Sequence, residues 1–180
     1  MTHALGATRS ATLRAMSDVP GIDPQMLERL RRGVPLVLTR TGRFRFDEAD
    51  VTHPRVESAL RAGLDLSPEG EPIIHLGAQW CYLTVEDCPL LATAVDERSG
   101  ILQLRLDDGR VLPLQVESLW EEPDEGLRAT VPAAYSGRPL AVRFTNAASM
   151  QLSQWIQIDD EDAAVLQVGN IRHIIASTSP

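Results

Sequence analysis

The segment ILQLRLDDGRVLPLQ, residues 101–115, decides the fold class of this chain. Its leucines alternate with other residues, which is the period-two pattern of a β-strand with one buried face. Asp107-Asp108-Gly109 interrupts the alternation, and a glycine in third position supplies the positive φ of a hairpin loop with a bulge. The resulting register places Leu104 opposite Leu112 and puts Pro113 on an edge strand, because proline cannot donate to a central ladder.

The same device occurs earlier, in LVLTRTGRFRF, residues 36–46. A three-residue loop over residues 40–42 again ends in glycine and places Leu38 opposite Phe44. A two-residue loop would pair Leu38 with Arg45 instead, so the apolar pattern favours the longer loop. Two hairpins of one type therefore predict antiparallel sheets.

Short helices are predicted beside these hairpins. Asp23 and Pro24 form a helix start, in which the carboxylate caps free N–H groups and proline needs no donor. Thr52 is predicted to cap a second helix that Gly63 ends. Residues 147–155 fit either a helix or an extended run. The predicted fold class is therefore α+β, with hairpin-rich antiparallel sheets and two or three short helices.

The chain is predicted to divide at the turn-rich stretch SPEGEP, residues 67–72. Residues 1–22 read as a flexible tail and residues 23–67 as a small α+β unit. Residues 71–177 read as a second unit that is mainly β. The two units are expected to meet along the strand that carries Trp80.

Composition excludes several classes of function. The net charge of −8 and the pI near 5.0 argue against nucleic-acid binding and against adhesion to anionic lipid. All 17 basic residues are arginine, which indicates the coding bias of a GC-rich genome. No signal peptide or membrane span is recognisable, so we expect a cytoplasmic protein with Cys81 and Cys88 reduced. We expect this protein to be a monomer or a homodimer.

The candidate site lies in QWCYLTVED, residues 79–87. Alternation predicts a strand over residues 79–86, with one apolar face turned to the core and an opposite face that is both aromatic and polar, as in ligand clefts. The predicted ligand-binding residues are His75, Trp80, Tyr82, Glu86 and Asp87. The alternative interpretation is a second packed layer, in which the Trp N–H and the Tyr O–H are satisfied locally.

No pattern indicates catalysis, a metal or a cofactor. His75, Cys81 and Cys88 lack the close spacing of zinc ligands, and no nucleophile motif is present. The favoured hypothesis is a non-enzymatic ligand-binding or regulatory module. The alternatives are a small enzyme with Glu86 or Asp87 as general base, and a structural adaptor that uses the edge near Pro113.

Three motifs add a family resemblance: Thr41-Gly42-Arg43-Phe44, then residues 52–56, and then Val85-Glu86-Asp87-Cys88-Pro89. In these the chain resembles an uncharacterised bacterial domain-of-unknown-function family. The resemblance implies a duplicated α+β core whose second unit is a half-open barrel similar to a pleckstrin-homology fold. It further implies a nucleotide-like small-molecule ligand at the seam between the units, and a role in signalling.

Overall fold

Three α-helices and sixteen β-strands make up the part of the chain that the computed structural model describes, residues 23–177. The helices are α1 (Pro24–Arg32), α2 (Pro54–Ala62) and α3 (Asn146–Leu152). The strands are β1 (Leu36–Leu38), β2 (Phe44–Phe46), β3 (Ala49–Asp50), β4 (Leu64–Leu66), β5 (Pro72–Leu76), β6 (Gln79–Tyr82), β7 (Thr84–Val85), β8 (Leu90–Arg98), β9 (Ile101–Leu106), β10 (Val111–Pro113), β11 (Trp120–Glu122), β12 (Gly126–Pro132), β13 (Pro139–Phe144), β14 (Ile156–Ile158), β15 (Ala164–Val168) and β16 (Ile171–Ile174). The tail predicted over residues 1–22 lies outside the described residues. Within residues 23–177, no helix is long and apolar enough to cross a membrane.

Both predicted hairpins form in the predicted register. Leu38 lies opposite Phe44 in the β1–β2 pair, and Leu104 lies opposite Leu112 in the β9–β10 pair. The loop glycines adopt positive φ, 78° at Gly42 and 87° at position 109, as a bulged type I loop requires. The strand β10, which carries the proline, is an edge strand of its sheet, as predicted.

The first helix begins as predicted, and the second differs by one residue. The Asp23 carboxylate accepts a hydrogen bond from the Met26 N–H at 3.3 Å. In α2 the N-cap is His53, with no side-chain cap bond, so the prediction of a Thr52 cap is wrong. Because Pro54 takes the first helical position, the cap falls on the residue directly before it, one place after the threonine.

Gly63 ends α2 for a steric reason. Its φ of −88° is open to any residue, so a left-handed turn is not what requires glycine here. A Cβ at this position would lie 2.1 Å from the carbonyl oxygen of His75, and the Gly63 carbonyl accepts a hydrogen bond from the His75 N–H at 2.8 Å. The end of α2 is thus packed backbone to backbone against β5.

The strand predicted over residues 79–86 is divided between two sheets. The strand β6 pairs antiparallel with β5 in the sheet β4-β5-β6, whereas β7 pairs parallel with β1 in the sheet β3-β2-β1-β7. The break falls at Leu83, which is buried and donates its N–H to the carbonyl of Pro72 at 3.0 Å. The single-strand prediction is wrong because alternation continues across a change of partner and does not reveal it.

The largest sheet has six strands in the order β10-β9-β8-β13-β12-β11. It combines hairpins with one parallel pair, β8 and β13, and α3 packs on β8. No sheet among residues 23–177 closes into a barrel. The stretch that fitted either a helix or a strand begins as α3, where the Thr145 hydroxyl accepts from the Ala148 N–H at 3.3 Å. The predicted class, α+β with hairpin-built sheets, is confirmed.

One apolar core contains residues from both sides of the turn at 67–71. Leu38 and Leu60 belong to the same buried cluster as Leu104 and Leu166. The strands β4 and β5 pair across this turn, and β1 pairs with β7 beyond it. The division of the chain into two units stays a prediction.

Candidate functional site

The aromatic side chains of β6 lie under the C-terminal turn of α1. Trp80 and Tyr82 meet edge to face, with ring centroids 5.2 Å apart. The Cζ atom of Arg31 lies 4.0 Å from the Trp80 ring centroid, and that of Arg32 lies 3.8 Å from the Tyr82 centroid. Each ring thus has a guanidinium group on its face at cation–π distance. We call these four residues the arginine–aromatic surface.

Two glutamates hold one half of this surface in place. The Tyr82 hydroxyl donates to Oε1 of Glu28 at 2.7 Å, and Nε of Arg32 donates to the same carboxylate at 3.0 Å. Arg32 also donates through both terminal nitrogens to Glu71, at 2.9 and 2.7 Å. This bidentate geometry is the strongest form of an arginine–carboxylate contact.

These contacts determine which protonation states the surface presents. Desolvation and the hydrogen bond to Glu28 raise the pKa of Tyr82 to about 12, so the phenol remains a donor at neutral pH. The hydrogen bond from Arg32 holds the pKa of the Glu71 carboxyl below its usual value. The half of the surface around Tyr82 is therefore a fixed set of opposite charges.

A shallow cleft of about 250 Å³ opens beside Tyr82. Charged and apolar side chains line it together: Arg32, Val34, Glu71, Pro72, Tyr82, Leu83 and Thr84. Trp80 and His75 lie outside this lining, so of the predicted site residues only Tyr82 contributes to the cleft. Polar atoms predominate over apolar ones in this lining, so the cleft offers a bound molecule mainly charged and hydrogen-bonding groups.

His75 belongs to a second cluster, next to the surface. It is the cross-strand partner of Trp80, it stacks on Tyr135 with centroids 4.6 Å apart, and its Nε2 lies 3.3 Å from Oδ2 of Asp65. Asp65 is buried and also accepts the hydroxyl and the N–H of Ser136. Because the serine hydroxyl donates to the aspartate and not to the histidine, this cluster lacks the nucleophile–base contact of a catalytic triad. It ties the β12–β13 loop to the sheet β4-β5-β6.

The two predicted carboxylates point elsewhere. Glu86 is exposed and accepts the N–H of Arg40 in the first hairpin loop at 3.0 Å. The Asp87 side chain is 4% exposed and lies between two guanidinium groups, 2.6 Å from Nη2 of Arg128 and 2.7 Å from Nε of Arg143. We call Asp87, Arg128 and Arg143 the buried ion network. Both oxygens of Asp87 are engaged, which leaves neither free for a substrate proton.

Sequence reasoning missed the α1 side chains that face the site and the glutamate directly before β5. The missed residues are Glu28, Arg31, Arg32 and Glu71. One signal was available, since Glu28 and Arg32 have the i, i+4 spacing of a helical ion pair. Within residues 23–177, no three His, Cys, Asp or Glu side chains come together in a way that could hold a metal ion.

The fold and the site define an α+β protein of small hairpin-built sheets with a polar–aromatic cleft. No protein-family model matches the sequence, and no curated protein shows significant similarity to it. Two solved structures share the fold. A DUF1285 family protein from Silicibacter pomeroyi DSS-3 aligns with a TM-score of 0.63 at 12% identity, over 97% of each chain. A DUF1285 family protein from Shewanella baltica OS155 aligns with a TM-score of 0.54 at 12% identity, over 68% of this chain and 92% of that one.

Both neighbours thus carry the name of a domain-of-unknown-function family, as the sequence resemblance implies. At 12% identity the likeness concerns the fold. The names of these neighbours state no activity and no ligand.

Proposed function

We propose that this protein is a non-enzymatic, cytoplasmic module that binds a small molecule in the cleft beside the arginine–aromatic surface and has a regulatory role. The observation that carries the proposal is the cleft itself. It brings an aromatic ring, a cation and an anion together beside Val34 and Pro72, within reach of one small ligand.

The arrangement of the ionisable groups supports a binding role over a catalytic one. Glu86 and Asp87, the two candidate general bases, already hold a backbone N–H and a pair of guanidinium groups. General base catalysis requires a carboxylate within hydrogen-bond reach of a substrate proton. The groups that do face the cleft, Arg32 and Glu71, hold each other in place.

The ligand class proposed first is nucleotide-like, in keeping with the family resemblance. Planar aromatic groups such as a nucleobase stack on tyrosine and on guanidinium planes, and the cleft offers both. A volume of about 250 Å³ suits part of a mononucleotide, with the remainder lying over the open mouth.

A thermal-shift titration with the four nucleoside 5′-monophosphates tests the proposal. We expect at least one compound to raise the melting temperature in a saturable way, because a ligand that binds only the folded state stabilises it. The variant Thr84→Phe fills the cleft from an exposed position on β7 and should abolish the shift. Val111→Phe, an exposed position on the edge strand β10, serves as the matched control.

Two results would count against the proposal. One is a panel in which no compound shifts the melting temperature. The other is an unchanged response in Thr84→Phe, which would place the bound molecule outside this cleft.

A further inference from the structure

Two adjacent arginines at the end of α1 stand in different electrostatic situations. Arg32 donates to Glu71 and to Glu28, so every nitrogen of its guanidinium has a carboxylate partner. Arg31 lies on the Trp80 ring, and within residues 23–177 it makes no ion pair. Its Nε atom is buried and has no acceptor among the described residues. The hydrogen-bonding capacity of Arg31 is thus unused by this part of the fold.

We infer that Arg31 binds the acidic group of the ligand, a phosphate or a carboxylate, and that Arg32 does not bind this group but holds Tyr82 and Glu71 in place. This inference rests on the proposed function, since it names the residue that selects the ligand at that same site. The cation–π pair Arg31–Trp80 lies directly beside the cation–π pair Arg32–Tyr82, which borders the cleft.

The geometry of Arg31 suits an oxyanion. A guanidinium group is planar and presents its N–H groups as a fork that matches the two oxygens of a carboxylate or phosphate. The cation–π contact with Trp80, 4.0 Å from Cζ to the ring centroid, restrains the guanidinium before a ligand arrives. The side chain therefore loses less rotational freedom on binding than a free surface arginine would.

The end of α1 is locally positive and favours an anionic ligand, although the net charge of the whole chain is −8. The helix α1 carries Arg29, Arg31 and Arg32 in its last turn, and Glu28 is its only acidic residue. Glu28 and Glu71 compensate Arg32, so the positive charge of the other two arginines stays uncompensated by an ion pair among the described residues.

A purely structural role for Arg31 makes a different prediction. A cation in the last turn stabilises a helix through the macrodipole, and lysine does this as well as arginine. Lysine also keeps a cation–π contact, but its ammonium is a point charge without a fork. The variant Arg31→Lys therefore separates helix stabilisation from oxyanion recognition.

Calorimetric titration with matched pairs of probes provides the test. The pairs are adenosine 5′-monophosphate against adenosine, and nicotinate against nicotinamide, so that each pair differs in its acidic group. We expect wild-type protein to prefer the acidic member of at least one pair by about tenfold, in line with a charge-assisted bidentate contact. The pair that shows the preference tells a phosphate from a carboxylate ligand.

The variants assign the preference to a residue. Arg31→Gln should reduce the ratio within the pair to about one, and Arg31→Lys should give an intermediate ratio at a nearly unchanged melting temperature. Arg32→Gln should weaken both members of a pair alike and leave their ratio intact.

The outcomes separate the two proposals. If acidic and neutral members bind wild-type protein equally well, or if Arg31→Gln keeps the wild-type ratio, the inference about Arg31 is wrong and the proposed function survives. If neither member of either pair binds and the nucleotide screen is also negative, the proposed function fails and the inference with it.

Discussion

The buried ion network and the arginine–aromatic surface use the same residue types in opposite ways. In the network, Arg128 and Arg143 lie directly opposite each other on β12 and β13, a like-charge pair that would repel without the aspartate between them. On the surface, Arg31 and Arg32 stand side by side, and only one of them has carboxylate partners among the described residues. Burial requires charges to be neutralised from within the chain, whereas partial exposure allows one to be left for a ligand.

The largest expected effect comes from neutralising the centre of the network. Asp87→Asn removes the carboxylate that lies between buried Arg128 and partly buried Arg143, and leaves Glu125 as the remaining anionic partner of Arg128. It should lower the free energy of unfolding by about 3 kcal/mol. Urea denaturation measures this. Asp96→Asn, which breaks an exposed contact to Arg105 at 3.7 Å, is the control and should change little. Equal effects of the two substitutions would remove the distinction between buried and exposed pairs.

The next effect concerns the backbone that supports the surface. Gly63→Ala places a methyl group against the carbonyl of His75, the cross-strand partner of Trp80, and should cost about 1–3 kcal/mol as overpacking. Gly33→Ala is the matched control at the end of α1, where the new Cβ would lie 3.1 Å from its nearest neighbour, the carbonyl oxygen of Arg29. A Gly63→Ala protein as stable as Gly33→Ala would show that α2 and β5 can separate without loss.

Each of the two regions contains one cysteine, Cys88 at the buried ion network and Cys81 at the arginine–aromatic surface. The rates at which the two thiols react therefore report on the two environments. Burial raises the pKa of Cys88, beside Arg128, to about 11, and burial also raises the pKa of Cys81 on β6. At pH 8 we expect Cys88 to react with a disulfide reagent about a hundredfold more slowly than an unperturbed thiol, and more slowly than Cys81. The variants Cys81→Ser and Cys88→Ser identify each thiol, and unfolding in guanidinium should equalise their rates.

The same shift has a consequence for stability. The pKa of Cys88 in the folded state lies above its ordinary value of 9.0, so the folded state favours the protonated thiol. This difference adds to the free energy of unfolding, and the contribution is fully present below about pH 9. That contribution is lost as the pH rises from about 9 to about 11. Rapid labelling of Cys88 in folded protein at pH 8 would contradict both expectations.

The smallest effect is a single hydrogen bond at the surface. Tyr82→Phe removes the donor to Glu28 and should lower stability by about 0.5–1 kcal/mol, since the contact is only partly buried. A double-mutant cycle with Glu28→Gln isolates this contact. Tyr135→Phe, at an exposed ring stacked on His75, is the control and should change stability less. A coupling energy near zero would show that the glutamate holds Arg32 alone.

Much of the local structure could be predicted because its causes are local. Gly42 and the Asp107-Asp108-Gly109 loop set the hairpin registers through turn geometry, and Pro113 marked an edge strand. The candidate site was predicted in part, since Tyr82 borders the cleft while Trp80 lies beside it. Glu86 and Asp87 were assigned to the site because they follow the strand of Tyr82 in sequence. Their side chains instead contact Arg40 and Arg128, which lie on other elements.

The sequence by itself therefore determined the start of the first helix, the hairpins and the apolar faces, because each depends on residues a few positions apart. Only the tertiary structure decided the parallel pairings of β1 with β7 and of β8 with β13, which join segments far apart in the chain. It likewise decided that α1 lies over Trp80 and Tyr82, and that Asp87 separates Arg128 from Arg143. A charge has no fixed role until its burial and its partners are known, and both arise only when distant segments pack together.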